Sequence, residues 1–170
     1  MKKNNLMPTI VLSAICICVV AILALVNIFT APVIKENQEK KTNEALLEVM
    51  PDGISFEKVE DISKLPDCVT GAHKSVNGGY VFTMNVSGYK TGLIVVCGVN
   101  SEGTVTGAKY IQSNETLGAE NGLGDKYIGK TLSDYTSVEI ISGATMTSKG
   151  YQNAIGAALE SFKILTGCNE

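Results

Sequence analysis

Ser142-Gly143-Ala144-Thr145-Met146-Thr147-Ser148 stands directly ahead of a run in which Tyr151, Ile155, Ala158, Leu159, Phe162 and Leu165 recur at spacings of three and four. That periodicity predicts a helix with one buried face, so Thr145 sits near a helix start. The segment from Ser137 to Ile141 before it is short, β-branched and apolar, and the whole unit reads as strand, turn, helix. A helix start presents unpaired backbone N–H groups and the positive end of the macrodipole, which stabilise a phosphate ester without any basic side chain. Gly143 and Ala144 leave room for a group to approach the backbone closely. The plain alternative is N-capping, for which Ser142, Thr145, Thr147 and Ser148 are all suitable residue types.

Working back from this unit, the chain is β-rich. Thr104 to Gln112 and the almost wholly apolar Gly92 to Val99 read as strands, the latter buried on both faces. In Tyr80 to Ser87, the residues Tyr80, Phe82, Met84 and Val86 alternate with smaller or polar ones, as in a half-buried strand. Asn77-Gly78-Gly79, Gly88-Tyr89-Lys90 and Asn100-Ser101-Glu102-Gly103 supply the turns, and Phe56 to Val59 adds a further short strand. The expected fold class is α+β: an antiparallel meander with a C-terminal helix.

The N-terminal third is different. Ile10 to Phe29 is apolar for twenty residues, interrupted only by Ser13 and Asn27. At about 1.5 Å per residue this matches a bilayer core of roughly 30 Å and predicts a transmembrane helix. A cleaved secretory signal is the rival, with Lys2 and Lys3 ahead of the run, but the apolar stretch is longer than a usual signal core. Pro32 is expected to break this helix. Lys35 to Met50 then resumes as a stalk or docking helix with Ala45, Leu46, Val49 and Met50 on one stripe, ended by Pro51-Asp52-Gly53. The expected organisation is a tail over 1–9, a transmembrane helix over 10–30, a stalk over 31–52 and a folded domain over 53–170. Basic residues flank the apolar run on both sides, so charge does not orient it.

Composition excludes several classes. The formal charge of −3 offers no footprint for nucleic acid. His73 is the sole histidine, which excludes a multi-histidine metal or haem site. Cys68, Cys97 and Cys168 follow the apolar run without metal-ligand spacing, and their pairing is open. All fourteen basic residues are Lys, which suits a phosphate held by a bond and by backbone amides rather than by an Arg clamp.

Ser-Gly-Ala-Thr-Met-Thr-Ser at 142–148 resembles the flavinylation motif of the FMN-binding domains in the Rnf complex, where the G subunit carries it, and in the related polypeptide of the sodium-pumping NADH:quinone oxidoreductase. Gly-Tyr-x-x-Gly-Leu-Ile at 88–94, Asn100 to Gly103 and Val105 to Ala108 are similar to the strand and turn pattern of the same domains. Glu115-Thr116-Leu117-Gly118 resembles their Glu-Thr-Pro-Gly-Leu-Gly loop, with Leu117 in place of Pro and extra residues before Gly122-Leu123-Gly124.

The resemblance implies FMN joined to Thr145 through a phosphoester. It implies that Ser142, Gly143, Ala144 and Thr147 border the cofactor and that Glu115, Thr116, Leu117 and Gly118 form a second wall. Glu139 stands where the family has Asp, a position implied to be read by the flavin transferase that attaches the cofactor. The implied role is a single-pass cell-membrane protein with its domain on the extracytoplasmic side. Its partners are the other membrane subunits of an ion-translocating ferredoxin:NAD oxidoreductase, and it works as an electron carrier within that translocase rather than as an enzyme alone. The alternatives are the FMN-bearing component of another respiratory chain, such as NADH:quinone oxidoreductase or an extracellular electron shuttle, and a cofactor-free anchored assembly module.

Overall fold

The computed structural model describes residues 6–53, 55–116 and 118–167. It divides into two compact units, Met1–Lys40 and Lys41–Glu170.

Helix α1 runs without a break from Leu6 to Val49 and includes Pro32. The expected break at Pro32 is therefore corrected. Proline removes a single amide donor, leaving the Ile28 carbonyl without its i+4 partner, and in an apolar segment the remaining ladder is the only way to satisfy the other backbone groups. Thr30 donates its hydroxyl to the Val26 carbonyl in the same turn. Thr9–Ile34 is long and apolar enough to cross a membrane, and its side chains are exposed throughout.

From Lys41 onward α1 belongs to the folded unit. Ala45, Leu46, Val49 and Met50 are buried, packed with Val81 and Val96. The helix stops where Met50 N donates to Leu46 O and Gly53 N to Met50 O, the turn expected at Pro51-Asp52-Gly53.

The sheet is a five-stranded antiparallel meander in sequence order: β1 Phe56–Lys58, β2 Val69–Ser75, β3 Tyr80–Ser87, β4 Thr91–Val99 and β5 Val105–Gln112. Strand β2 was not apparent in the sequence. Its Val69-Thr70-Gly71-Ala72-His73-Lys74-Ser75 carries polar residues and a bulge between Val69 and Gly71, so it lacks period-two alternation. Strand β4 is covered on both sides, as expected for its apolar run. Val95 and Cys97 join the larger core with Phe82 and Met84, while Val96 faces the end of α1.

Glycine shapes that second face. Gly98 and Gly107 are partners across β4 and β5, and a Cβ at either would stand 2.6 or 2.8 Å from the Val49 carbonyl oxygen. The bare backbone admits the end of α1, and Thr106 Oγ1 donates to the Val49 carbonyl at 2.6 Å.

Helix α2, Thr145–Thr166, covers the other face with Tyr151, Ile155, Ala158, Leu159 and Phe162 of the expected stripe buried, together with Ala154, while Leu165 at its end is half-buried. It ends at Gly167, left-handed at φ 68°, whose amide donates to Lys163 O. Between β5 and α2 lie two short 3-10 turns, Gly124–Tyr127 and Tyr135–Ser137. The expected strand over Ser137 to Ile141 is absent: the sheet ends at β5, and this stretch runs irregularly toward α2. Its Ile141 amide bonds to Ser148 Oγ instead of a ladder partner.

Candidate functional site

The N-terminus of α2 is built as a bare helix start. Gly143 takes φ +84°, a left-handed conformation that turns the chain; a Cβ there would meet nothing within 4 Å. Its glycine is thus required by the turn, and the backbone beside it is open, in line with the room expected there. Ala144 occupies the N-cap position, where no side chain caps the helix. None of the four hydroxyl residues caps α2. Ser148 is buried and accepts from Ile141 N, Thr147 points elsewhere, and Ser142 and Thr145 are exposed. Among the described residues nothing caps the first amides of α2, which can serve an outside acceptor. Thr145, the first helical residue, carries a hydroxyl with no partner among the described residues.

A clasp fixes this helix start against the sheet. Thr147, buried, donates its hydroxyl to Glu115 Oε2 at 2.5 Å. The same carboxylate accepts the Tyr89 amide at 3.1 Å on Oε2 and the Lys90 amide at 3.0 Å on Oε1. The loop after β5 therefore ties the β3–β4 turn to the first turn of α2. Burial pushes the Glu115 carboxyl upward, but the Thr147 hydroxyl, the amides of Lys90 and Tyr89 and the Lys90 charge outweigh it and hold it below the usual glutamate range. Two glycines allow the close fit. A Cβ at Gly88 would stand 2.6 Å from Glu115 Oε1, and one at Gly150 would stand 2.6 Å from the Ser87 carbonyl oxygen.

Beside the clasp opens a cleft of about 370 Å³, lined by Tyr89, Glu115, Thr116 and the residues Gly143 to Thr147. Tyr89 and Met146 are 67% and 59% exposed, and they form its apolar rim. The structure thus brings Glu115 and Thr116 together with Gly143, Ala144, Thr145 and Thr147, which the sequence places about thirty residues apart. Within this group Glu115 and Thr147 are committed to each other. Ser142 and Gly118 lie outside the lining; Gly118 turns its loop at φ +61° and accepts from Asn121 Nδ2 at 2.9 Å. Glu139 is exposed and also outside it. Leu117 lies outside the described residues. Tyr89 and Met146 were not singled out as site residues by sequence reasoning; Tyr89 stands at the tip of a turn and Met146 within the motif, so position was the available signal.

Among the described residues no group of three or more His, Cys, Asp or Glu side chains is placed to hold a metal ion. Cys16, Cys18, Cys68 and Cys97 are unbridged, and Cys168 lies outside the described residues. Cys97 is wholly enclosed on β4, and burial pushes its thiol up to about 12.

Comparison with known proteins coincides with this geometry. Residues 88–160, from the β3–β4 turn through most of α2, match the FMN-binding domain family. Residues 1–49, which take in α1, match the RnfG N-terminal region. A curated relative, the G subunit of the Na(+)-translocating ferredoxin:NAD(+) oxidoreductase complex of Acetobacterium woodii, is 27% identical over 187 aligned positions, covering 92% of this chain and 89% of its own length. The G subunit of the ion-translocating oxidoreductase complex of Shewanella piezotolerans is 24% identical over 198 positions, covering 93% and 89%. With its apolar helix, its α+β domain and both matches in their expected order, this chain is similar along most of its length to Rnf complex G subunits, and its residues 88–160 match an FMN-binding domain.

Proposed function

We propose that this chain is the membrane-anchored electron carrier of an ion-translocating ferredoxin:NAD oxidoreductase, with FMN esterified to Thr145. The observation that carries the reading is the Thr145 hydroxyl, exposed and unpartnered among the described residues at the uncapped start of α2. A phosphate bonded to that oxygen lies within reach of the free amides of the first helical turn and the positive end of the helix dipole. The cleft beside it matches a planar aromatic ring in character: an apolar rim of Tyr89 and Met146, and a polar edge at Thr116.

The flavin supplies the redox chemistry when bound, and the residues of this chain supply place and surroundings. Glu115 and Thr147 hold the helix start against the β3–β4 turn, so the acceptor oxygen has one position. Gly143 turns the chain so that the hydroxyl faces outward. Tyr89 and Met146 exclude water from one side of the cleft. Attachment through a covalent bond keeps the carrier from being lost on the extracytoplasmic side, where we place the domain. There a flavin transferase reads the stretch from Glu139 to Thr145. The relatives are named as subunits of oxidoreductase complexes, and the neighbouring subunits of such a complex are the electron donor and acceptor we assign to this one.

The test is intact-mass spectrometry, with in-gel flavin fluorescence after denaturation, of the full chain exported together with a flavin transferase. The expected result is a gain of one FMN less one water, mapped to the peptide that contains Thr145. An unmodified chain beside a flavinylated control domain in the same cells would favour the cofactor-free assembly module instead.

A further inference from the structure

A second, larger cleft of about 520 Å³ opens away from Thr145, between the end of α1, strand β5 and the loop over 120–128. Its floor is tight. Gly124 passes so close to Ala108 that a Cβ would collide with that carbonyl, and Tyr127 stacks on Tyr151 behind it with ring centroids 6.0 Å apart. Glu120 lies in this lining with 6% of its surface exposed. Its Oε1 accepts from Ser113 Oγ at 2.7 Å, whereas Oε2 is buried with no partner among the described residues. An enclosed carboxylate oxygen left unpaired is costly and calls for a donor from outside.

The charges around it are unbalanced. The lining holds the carboxylates of Glu48, Glu120 and Asp125 against one ammonium, Lys109, and that group is spent on Glu48 at 2.6 Å. Val49, Pro51 and the half-exposed Ile128 add an apolar wall. We propose that this cleft receives a lysine or arginine side chain of a neighbouring protein subunit, its charged head paired with Glu120 and Asp125 and its aliphatic stem against Val49, Pro51 and Ile128. A long basic side chain has this division into apolar stem and charged tip. The cleft is far larger than an inorganic ion requires, and no three-ligand metal group is present among the described residues. The occupant is thus a basic side chain and not a free metal ion.

The full chain is purified in mild detergent from its own membranes as wild type, Glu120→Gln and Asp125→Lys, with a photoreactive phenylalanine analogue placed at Ile128. Wild type is expected to cross-link to another protein of the complex beside a Lys or Arg. Asp125→Lys, at an exposed position, should lower recovery of that protein about tenfold, and reversing the charge of the contacted residue should restore it. Unchanged recovery in both variants overturns the proposal. So does a melting temperature of the wild-type chain that rises with calcium or sodium chloride but not choline chloride, with the rise lost in Glu120→Gln, because the occupant is then an inorganic cation. Flavin mass at Thr145, read from the same samples, separates these outcomes from failure of the flavin assignment.

Discussion

Thr145 and Thr147 are two residues apart and have opposite fates. The first is exposed with a free hydroxyl; the second is buried with its hydroxyl bound to Glu115. Thr145→Val is therefore expected to abolish flavin attachment with little change in melting temperature. Thr147→Val is expected to keep the flavin but lose about 1–2 kcal/mol of stability, because a charged acceptor loses its donor. Denaturing-gel fluorescence and urea titration of the same variants read both effects, and a reversed pattern would move the attachment point. Glu115 predicts the pH response. Its folded-state pKa is depressed, so the stability it contributes is present above the ordinary glutamate range and is lost as pH falls through the lowered value. Wild type should melt above Glu115→Gln at neutral pH, and the two should converge in acid. A difference that persists unchanged to low pH would show that the carboxylate charge is not what the clasp uses.

At the scale of elements, the glycine pair Gly98 and Gly107 decides how the end of α1 meets the sheet. Gly107→Ala places a Cβ 2.8 Å from the Val49 carbonyl oxygen and is expected to cost about 1–3 kcal/mol by overpacking. Hydrogen exchange should quicken first at 41–50, and protection unchanged there would refute this reading of the glycines.

Legibility from the sequence followed the strength of each pattern. Helix α2 and strands β3, β4 and β5 have strong periodicity or long apolar runs and could be read directly. Strand β2 could not, because Gly71, His73 and Lys74 interrupt alternation and its place is set by pairing with β3. Ser137 to Ile141 has strand composition but no neighbouring strand, so composition misled. Pro32 signals a break by local rule, yet losing one amide did not outweigh a helix of 44 residues. The hydroxyl-rich stretch that opens α2 was visible as a short string. The clasp was not, because Glu115 and Thr147 meet only through the folded β3–β4 turn, and nothing local marks either as the other's partner.

For the whole molecule, an apolar helix early in the chain and a compact unit from Lys41 onward support membrane anchoring, as do relatives that are subunits of oxidoreductase complexes. The full-length chain is expected to stay with membranes through an alkaline carbonate wash and to retain its N-terminus by mass. A mature chain starting near Ala31 would show that the apolar run is a cleaved signal. With the proposed orientation, a cysteine introduced at Asn77, in the exposed β2–β3 turn, should react with a membrane-impermeant maleimide added to intact cells whose outer barrier has been opened. Protection until the inner membrane is lysed would place the domain on the other side.

The meander order has a bearing on timing. Each strand pairs with the one made just before it, so the sheet can assemble as the chain is delivered from its N-terminus. Helix α2 is made after the whole sheet, and the carboxylate waiting at Glu115 has no hydroxyl to hold until residue 147 has arrived and docked. Thr145, the acceptor on our proposal, therefore takes up its position only once α2 has packed on the finished sheet. On the proposed attachment, an enzyme that reads Thr145 on a packed helix start would mark folded molecules and pass over unfolded ones, so that the flavin would certify folding as well as carry electrons.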